Sequence, residues 1–411
     1  MGVGLFGFIY SPAQIKNINL ENCSFTGNAY VGAIVGNSAG TATGFGVYNC
    51  TVASTVSVTG TSTDEENAPA IYAGGIIGYC GNLIIKNCTS AASVSGSTCV
   101  GGIAGILYEG TIQDCFYTGS STFDEEEYQG VITGDRGGHD LDDNWIEGSE
   151  GTISLTLYDN DSEAVKNATR LGYYNGIEDV DVTLSGRTLY KDGSWNTLCL
   201  PFDAELTGDF SGAEIRTLSD ATFSKGTLTL DFTPASGEGA VTSIEAGKPY
   251  IIKWTSGADF TPTFTGVTIN SAAPTDVTGT AANFHGIYTP YSTGGEDKTM
   301  FYLGEDNNLF YPNAAITIGA FRAYFTLNGI TAGEKANEIR AFVLNFVDGE
   351  TSGIVDAEAN SSKVKGWRDC GNLFTLHSSL SAWYTLDGRR LSGKPAASGI
   401  FMHNGRKIVV K

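Results

Sequence analysis

The side chains in this sequence that could do chemistry are eight cysteines, four histidines and several runs of clustered carboxylates. A zinc peptidase needs two histidines one helical turn apart, with a glutamate between them as general base. His139, His285, His377 and His403 never stand in that relation, and no His-Glu-x-x-His occurs. The run Gly36-Asn37-Ser38-Ala39-Gly40 has the spacing of a nucleophile elbow, whose serine must sit on a strained strand-to-helix turn. Matching positions elsewhere read Gly78-Tyr79-Cys80-Gly81 and Gly105-Ile106-Leu107-Tyr108, so Ser38 reads as a filler in a repeat. No catalytic residue and no cofactor are therefore expected.

The carboxylates offer two further readings. Grouped acids can cleave polysaccharides, and the groups are Asp124-Glu125-Glu126-Glu127, Asp140 with Asp142 and Asp143, and Asp159 with Asp161. Hard oxygen ligands in such clusters also suit calcium, at Asp159 and Asp161 or at Asp140 and Asp142. Neither cluster completes an Asp-x-Asp-x-Asp-Gly loop, so solvated acidic loops are the plainer reading. Rings are the remaining chemistry: Trp254, Tyr288 and Tyr291, with Trp195 and Tyr302, are either core or a platform on which a glycan stacks.

What positions these groups is a repeat. A Gly-x-apolar-x-Gly element recurs around Gly36, Gly78 and Gly105, as Gly32-Ala33-Ile34-Val35-Gly36, Gly74-Gly75-Ile76-Ile77-Gly78 and Gly101-Gly102-Ile103-Ala104-Gly105. Between copies lies apolar-x-Asn/Asp-Cys, ending at Cys23, Cys50, Cys88 and Cys115. Those cysteines are 27, 38 and 27 residues apart, and the longer interval holds a polar stretch near Thr59 to Asn67. An insertion at one corner of a solenoid explains it. Each short β-branched run buries its inner face only by stacking on neighbouring coils. The glycines are expected at corners with positive φ. The four cysteines are expected as an inward column of free thiols; disulfides remain open, and metal binding lacks a Cys-x-x-Cys pair.

Gly-Gly-Ile-Ile-Gly, a polar turn, Ile-x-Asn-Cys and then Thr/Ser-x-Gly resemble the GLUG repeat of bacterial surface adhesins, over about residues 3 to 138. The resemblance implies a β-helix-like spacer displayed outside the cell, of the Bacteroides and Prevotella type. Downstream, Gly193-Ser194-Trp195-Asn196-Thr197-Leu198-Cys199-Leu200-Pro201-Phe202-Asp203 and Glu245-Ala246-Gly247-Lys248-Pro249-Tyr250-Ile251 resemble segments of large Bacteroidetes surface proteins. The end of the chain, with Asn404-Gly405 between Gly399-Ile400-Phe401-Met402-His403 and Lys407-Ile408-Val409-Val410, has a strong hairpin signal. It resembles the C-terminal sorting tail of Bacteroidetes secreted proteins, which implies export and a partner in the cell-envelope sorting or attachment machinery.

These readings make the chain all-β. A parallel β-helix-like solenoid is expected over 1–138, an acidic connector or cap over 139–151, an antiparallel β-sandwich over 152–347, a linker over 348–380 and a small β-hairpin unit over 381–411. Alternating runs such as Ile153-Ser154-Leu155-Thr156-Leu157, Val180-Asp181-Val182-Thr183-Leu184 and Thr227-Leu228-Thr229-Leu230 supply the sandwich strands. The tail carries six bases against one acid in a chain of net charge −21. That overall charge repels phosphate polyanions, so nucleic acid is excluded as a partner. No apolar run is long enough to span a bilayer, and the opening Met1-Gly2-Val3-Gly4 lacks a basic n-region, which is the reading of a fragment starting inside a repeat. The expected role is a non-catalytic adhesin-like surface protein that meets a host or matrix protein or glycan. The alternative is a carbohydrate-binding or polysaccharide-cleaving surface protein.

Overall fold

The computed structural model describes residues 2–41, 43–61, 71–123, 129–135, 138–139, 145–146, 151–161, 166–304, 307–333, 335, 337–346, 355–356, 383–384, 390–391, 399–403 and 406–410. The chain is all-β and divides into two compact units. The first comprises Met1–Leu157, Val165–Ser185 and Thr263–Ser271; the second comprises Tyr158–Ala164, Gly186–Pro262 and Ala272–Lys411.

Parallel sheets with one strand per repeat build the first unit. One sheet runs through Phe6–Tyr10, Val35–Ala39, Ile77–Gly81, Ala104–Tyr108 and Thr133–Asp135, and a second through Tyr30–Gly32, Tyr72–Gly74, Cys99–Gly101 and Gln129–Gly130. Three more such sheets follow the same order, a β-helix-like arrangement. The alternation of the sequence explains the register: Ile9, Ser38, Cys80 and Leu107 are buried on one face, while their chain neighbours Phe8, Asn37, Tyr79 and Ile106 occupy the other. Buried Val47, Ile85 and Ile112 pair in register across three repeats, each contributing about 1.5–3 kcal/mol by leaving water.

The repeat glycines do something other than expected. Gly36, Gly78 and Gly105 do not have positive φ. Instead, a Cβ on Gly78 would lie 2.7 Å from Tyr30 C and from Gly36 O, and one on Gly105 would lie 2.6 Å from Tyr72 C and Ala73 N. They are glycine because backbone from the neighbouring sheet passes at contact distance. The left-handed positions fall to the residue before the cysteine: Asn49, Asn87 and Asp114, with φ of 52°, 53° and 51°. Asn and Asp tolerate that conformation better than other residues with a Cβ.

The thiol column also needs a correction. Cys50, Cys88 and Cys115 are free, buried and stacked: the Cys50 amide donates to Cys88 Sγ and the Cys88 amide to Cys115 Sγ, both at 3.4 Å. Cys23 is out of phase. Lys16 pairs with Tyr48 and Leu20 with Val52, so the position above Cys50 is Ile18, whose amide donates to Cys50 Sγ at 3.5 Å. Asn17, with φ of 58°, takes the left-handed place there.

The first unit continues past the expected boundary. Thr152–Tyr158 pairs parallel to Thr111–Gln113, and Val180–Ser185 and Thr263–Val267 extend the same sheet. The end of the repeat is covered by the helix Asn167–Tyr174: Tyr174 Oη donates to Cys115 O at 3.0 Å, Phe116 meets the Tyr173 ring at 5.2 Å, and Arg170 pairs with Asp114 at 2.9 Å. The expected connector over 139–151 lies mostly outside the described residues, including Asp140, Asp142 and Asp143.

In the second unit, Thr227–Phe232 pairs antiparallel to Leu218–Ser224 but parallel to Ala341–Phe346, so this unit is not wholly antiparallel as expected. A second sheet orders Val277–Thr278, Ala282–Ile287, Arg322–Leu327, Met300–Leu303 and Leu309–Phe310. Their shared core is aromatic: Phe232, Phe284, Phe325, Phe342 and Phe346 are buried, and Phe284 stacks on Phe325 at 4.6 Å. Near the C-terminus Gly399–His403 and Arg406–Val410 pair antiparallel in a four-stranded sheet with Trp383–Tyr384 and Arg390–Leu391. The Asn404-Gly405 turn itself lies outside the described residues.

Candidate functional site

The expected sites come first. Ser38 lies inside the first unit on the strand Val35–Ala39, where its hydroxyl accepts from the Gly81 amide at 3.0 Å; it is a structural residue of the repeat. Asp159 is not a cation ligand: both carboxylate oxygens are taken up by Arg322, and its side chain is buried. Among the described residues no three acids, histidines or cysteines gather to hold a metal. Asp140, Asp142 and the acids at 124–127 lie outside those residues.

Two of the three expected glycan rings are core. Trp254 is 4% exposed and packs against Phe210 and Phe260, and Tyr288 is 7% exposed with its hydroxyl donating to Leu200 O at 3.1 Å. A sugar needs an open ring face, and neither offers one. Trp195 and Tyr302 are buried as well. Tyr291 is partly exposed, with its ring stacked on Tyr324 at 4.9 Å.

The open aromatic surface is in the first unit, where it was not expected. Tyr30 and Tyr72 pair in register and stack at 5.5 Å with their planes 14° apart. Tyr79 meets Tyr30 edge-on at 5.2 Å and stacks on Tyr108 at 6.1 Å. Two neighbouring sheets supply these rings, and the close approach that Gly78 and Gly105 permit brings their outer faces together. The rings thereby collect around buried Tyr72, Cys99 and Ile106. Tyr30, Tyr79 and Tyr108 stay partly exposed, and in the same sheet Phe8 is 54% and Tyr10 67% exposed. Phe8 pairs with Asn37, which pairs with Tyr79, and Tyr10 pairs with Ala39 while Tyr108 pairs with Gly81, so rings alternate with small or polar residues along these outer positions.

The rings themselves carry no charge, with Glu109 as an acidic neighbour. Burial pushes the Tyr79 hydroxyl up to about 12, with the neighbouring Tyr108 adding to the shift, so its phenol stays protonated through the physiological range. A group of uncharged rings with hydroxyl rims can stack on a flat apolar surface and hydrogen-bond at its edge. Its sequence signal was the phase of tyrosine against glycine: Tyr30-Val31-Gly32 and Tyr72-Ala73-Gly74 each open a glycine element.

Among the described residues no helix is long and apolar enough to cross a membrane. Compared with known protein families, curated proteins and solved structures, the chain matches none of them.

Proposed function

We propose that this chain is a non-catalytic, secreted or cell-surface adhesin-like protein of the GLUG-repeat type. On this reading the parallel sheets are the walls of a solenoid spacer, the second unit is built around a β-sandwich, and the tail over 381–411 is a sorting or attachment element. The observation that carries the reading is the group of partly exposed rings on the repeats, Tyr30, Tyr79 and Tyr108, with the exposed Phe8 and Tyr10 of the same sheet as Tyr79. Such a group suits a partner with a flat apolar face, and the ring chemistry favours a host or matrix glycan, stacked by its C–H faces.

The test is binding of the full chain to arrayed glycans and to immobilised matrix material, beside the same chain carrying Tyr79→Ala and Tyr108→Ala. Saturable binding that falls tenfold or more in the double variant is expected. Equal binding by both proteins, or release of reducing ends from any arrayed polysaccharide, would overturn the proposal.

A further inference from the structure

Within the second unit a small, partly open cavity of about 40 Å³ is lined by Arg187, Tyr190, Asn196, Tyr302, Gly319 and Arg322, among others. Its charge does not balance locally. Arg322 holds Asp159 through both carboxylate oxygens, a contact for which Gly319 leaves room, since a Cβ there would overlap both partners. Arg187 is 3% exposed and, among the described residues, has no carboxylate in hydrogen-bond contact: its Nη1 donates to Thr188 O at 2.6 Å and its Nη2 to Thr197 O at 2.7 Å. Two guanidinium groups thus share one carboxylate. Burial and the neighbouring Arg322 both work against the charge on Arg187, yet arginine does not give up its proton in proteins. A buried cation in this position is costly unless something negative reaches it.

The unused hydrogen-bonding groups point the same way. Arg187 Nε–H and the Tyr302 hydroxyl are buried and have no hydrogen-bond partner among the described residues, and both residues line the cavity. Asn196, by contrast, is fully engaged with Tyr190: its Oδ1 accepts from the Tyr190 amide at 3.0 Å and its Nδ2 donates to Tyr190 O at 2.9 Å. What remains are two donors in a positive field, beside apolar walls from Trp195, Ile316 and Ile318. We propose that this cavity is a binding site for a carboxylate group, which accepts from Arg187 Nε–H and Tyr302 Oη–H while the Arg187–Arg322 pair supplies the countercharge. A volume of about 40 Å³ accommodates a carboxylate head and little more, a water needing roughly 10–15 Å³ by the same measure. The ligand is therefore a short free acid or an acidic sugar whose ring stays in the mouth. This site is independent of the tyrosine face of the first unit.

The experiment is calorimetric titration of the full chain in a carboxylate-free, low-salt buffer with acetate, glucuronate, glucose and sulfate, beside the variant Tyr302→Phe. That variant removes one hydroxyl without changing the ring, and a buried hydroxyl with no partner weighs against the fold, so its removal does not destabilise it. Saturable binding of acetate or glucuronate, absent for glucose and weakened roughly tenfold in Tyr302→Phe, is expected for a charge-assisted hydrogen bond. Tighter binding of acetate supports a free acid, and tighter binding of glucuronate an acidic sugar. No binding of either acid, sulfate binding as tight as acetate, or unchanged affinity in Tyr302→Phe would overturn it. Should Tyr302→Phe fail to fold, Arg187→Lys replaces it; that variant loses the Nε–H and, as a buried lysine that can shed its proton, the fixed charge as well, and the same tenfold criterion applies.

Discussion

The two units bury polar groups in different ways. Within the repeats of the first, the interior groups are small and neutral: Ser38, Ser90 and the thiols of Cys50, Cys88 and Cys115, each meeting its own backbone or that of a neighbouring repeat, and the charged pair of Asp114 with Arg170 is buried only where the covering helix packs. The second buries Arg187, Arg216, Arg322 and Asp159, and its central ion pair joins residues 163 positions apart. A structure that repeats can satisfy each polar atom with its own copy one repeat away. One that does not repeat must find partners at long range, and charge is the chemistry that reaches them with direction.

The sharpest way to break that contrast is Arg322→Met. Leaving Asp159 buried without its partner costs about 3–5 kcal/mol, read by denaturant titration through the fluorescence of Trp195 and Trp254. The pair Asp159→Leu with Arg322→Met is expected to regain part of that loss, since Arg187 then lacks the shared carboxylate, while amide exchange across 31–115 in the first unit stays as in the parent. An equal loss in the single and double variants would show that the charge is not what matters.

A smaller effect is expected from Gly78→Ala, about 1–3 kcal/mol, because backbone of the next sheet occupies the place of the new methyl. Gly212→Ala in the second unit meets no atom but has φ of 72°, and costs about 1 kcal/mol for backbone conformation alone. Thermal midpoints of the two variants separate steric contact from torsional preference.

Alkali weakens the first unit through its buried thiols. Burial pushes the Cys80 thiol up to about 12 from an ordinary 9.0. Below pH 9 the thiol is protonated in folded and unfolded chains alike, and its contribution is constant. As pH rises from 9 towards 12 the unfolded chain loses this proton and the folded chain keeps it. Stability then falls by up to about 1.4 kcal/mol per pH unit for this group. Cys80→Ala is expected to flatten the alkaline slope of stability in the first unit; an unchanged slope would assign it to other groups. The smallest effect is at Asn87, whose φ of 53° makes Asn87→Ala cost about 1 kcal/mol and Asn87→Gly a few tenths, measured by thermal denaturation.

The first unit was legible because its physics is periodic. The intervals of 38 and 27 residues between Cys50, Cys88 and Cys115 are the very offsets that put each thiol beside the next. Where a motif matched by type but not by phase, at Cys23, sequence spacing misled, since only the pairing of Lys16 with Tyr48 sets the register. The strands Thr152–Tyr158 and Val180–Ser185 were visible as alternation, yet alternation does not say which sheet a strand joins. The cavity left no trace. Arg187, Tyr302 and Arg322 belong to unrelated segments, and aromatic residues such as Trp254 look the same in a sequence whether they fill a core or face a ligand.

The left-handed asparagines have one further consequence. The Asn87 side-chain amide donates to that of Asn49 at 3.3 Å, and an amide can go on doing so indefinitely because it both gives and receives. At Asp114 the donor is missing. Its carboxylate only receives, and it takes Arg170 of the covering helix together with the Thr156 amide and hydroxyl. Exchanging one nitrogen for one oxygen thus breaks the ladder of side-chain amides and turns its last member towards the helix that packs there.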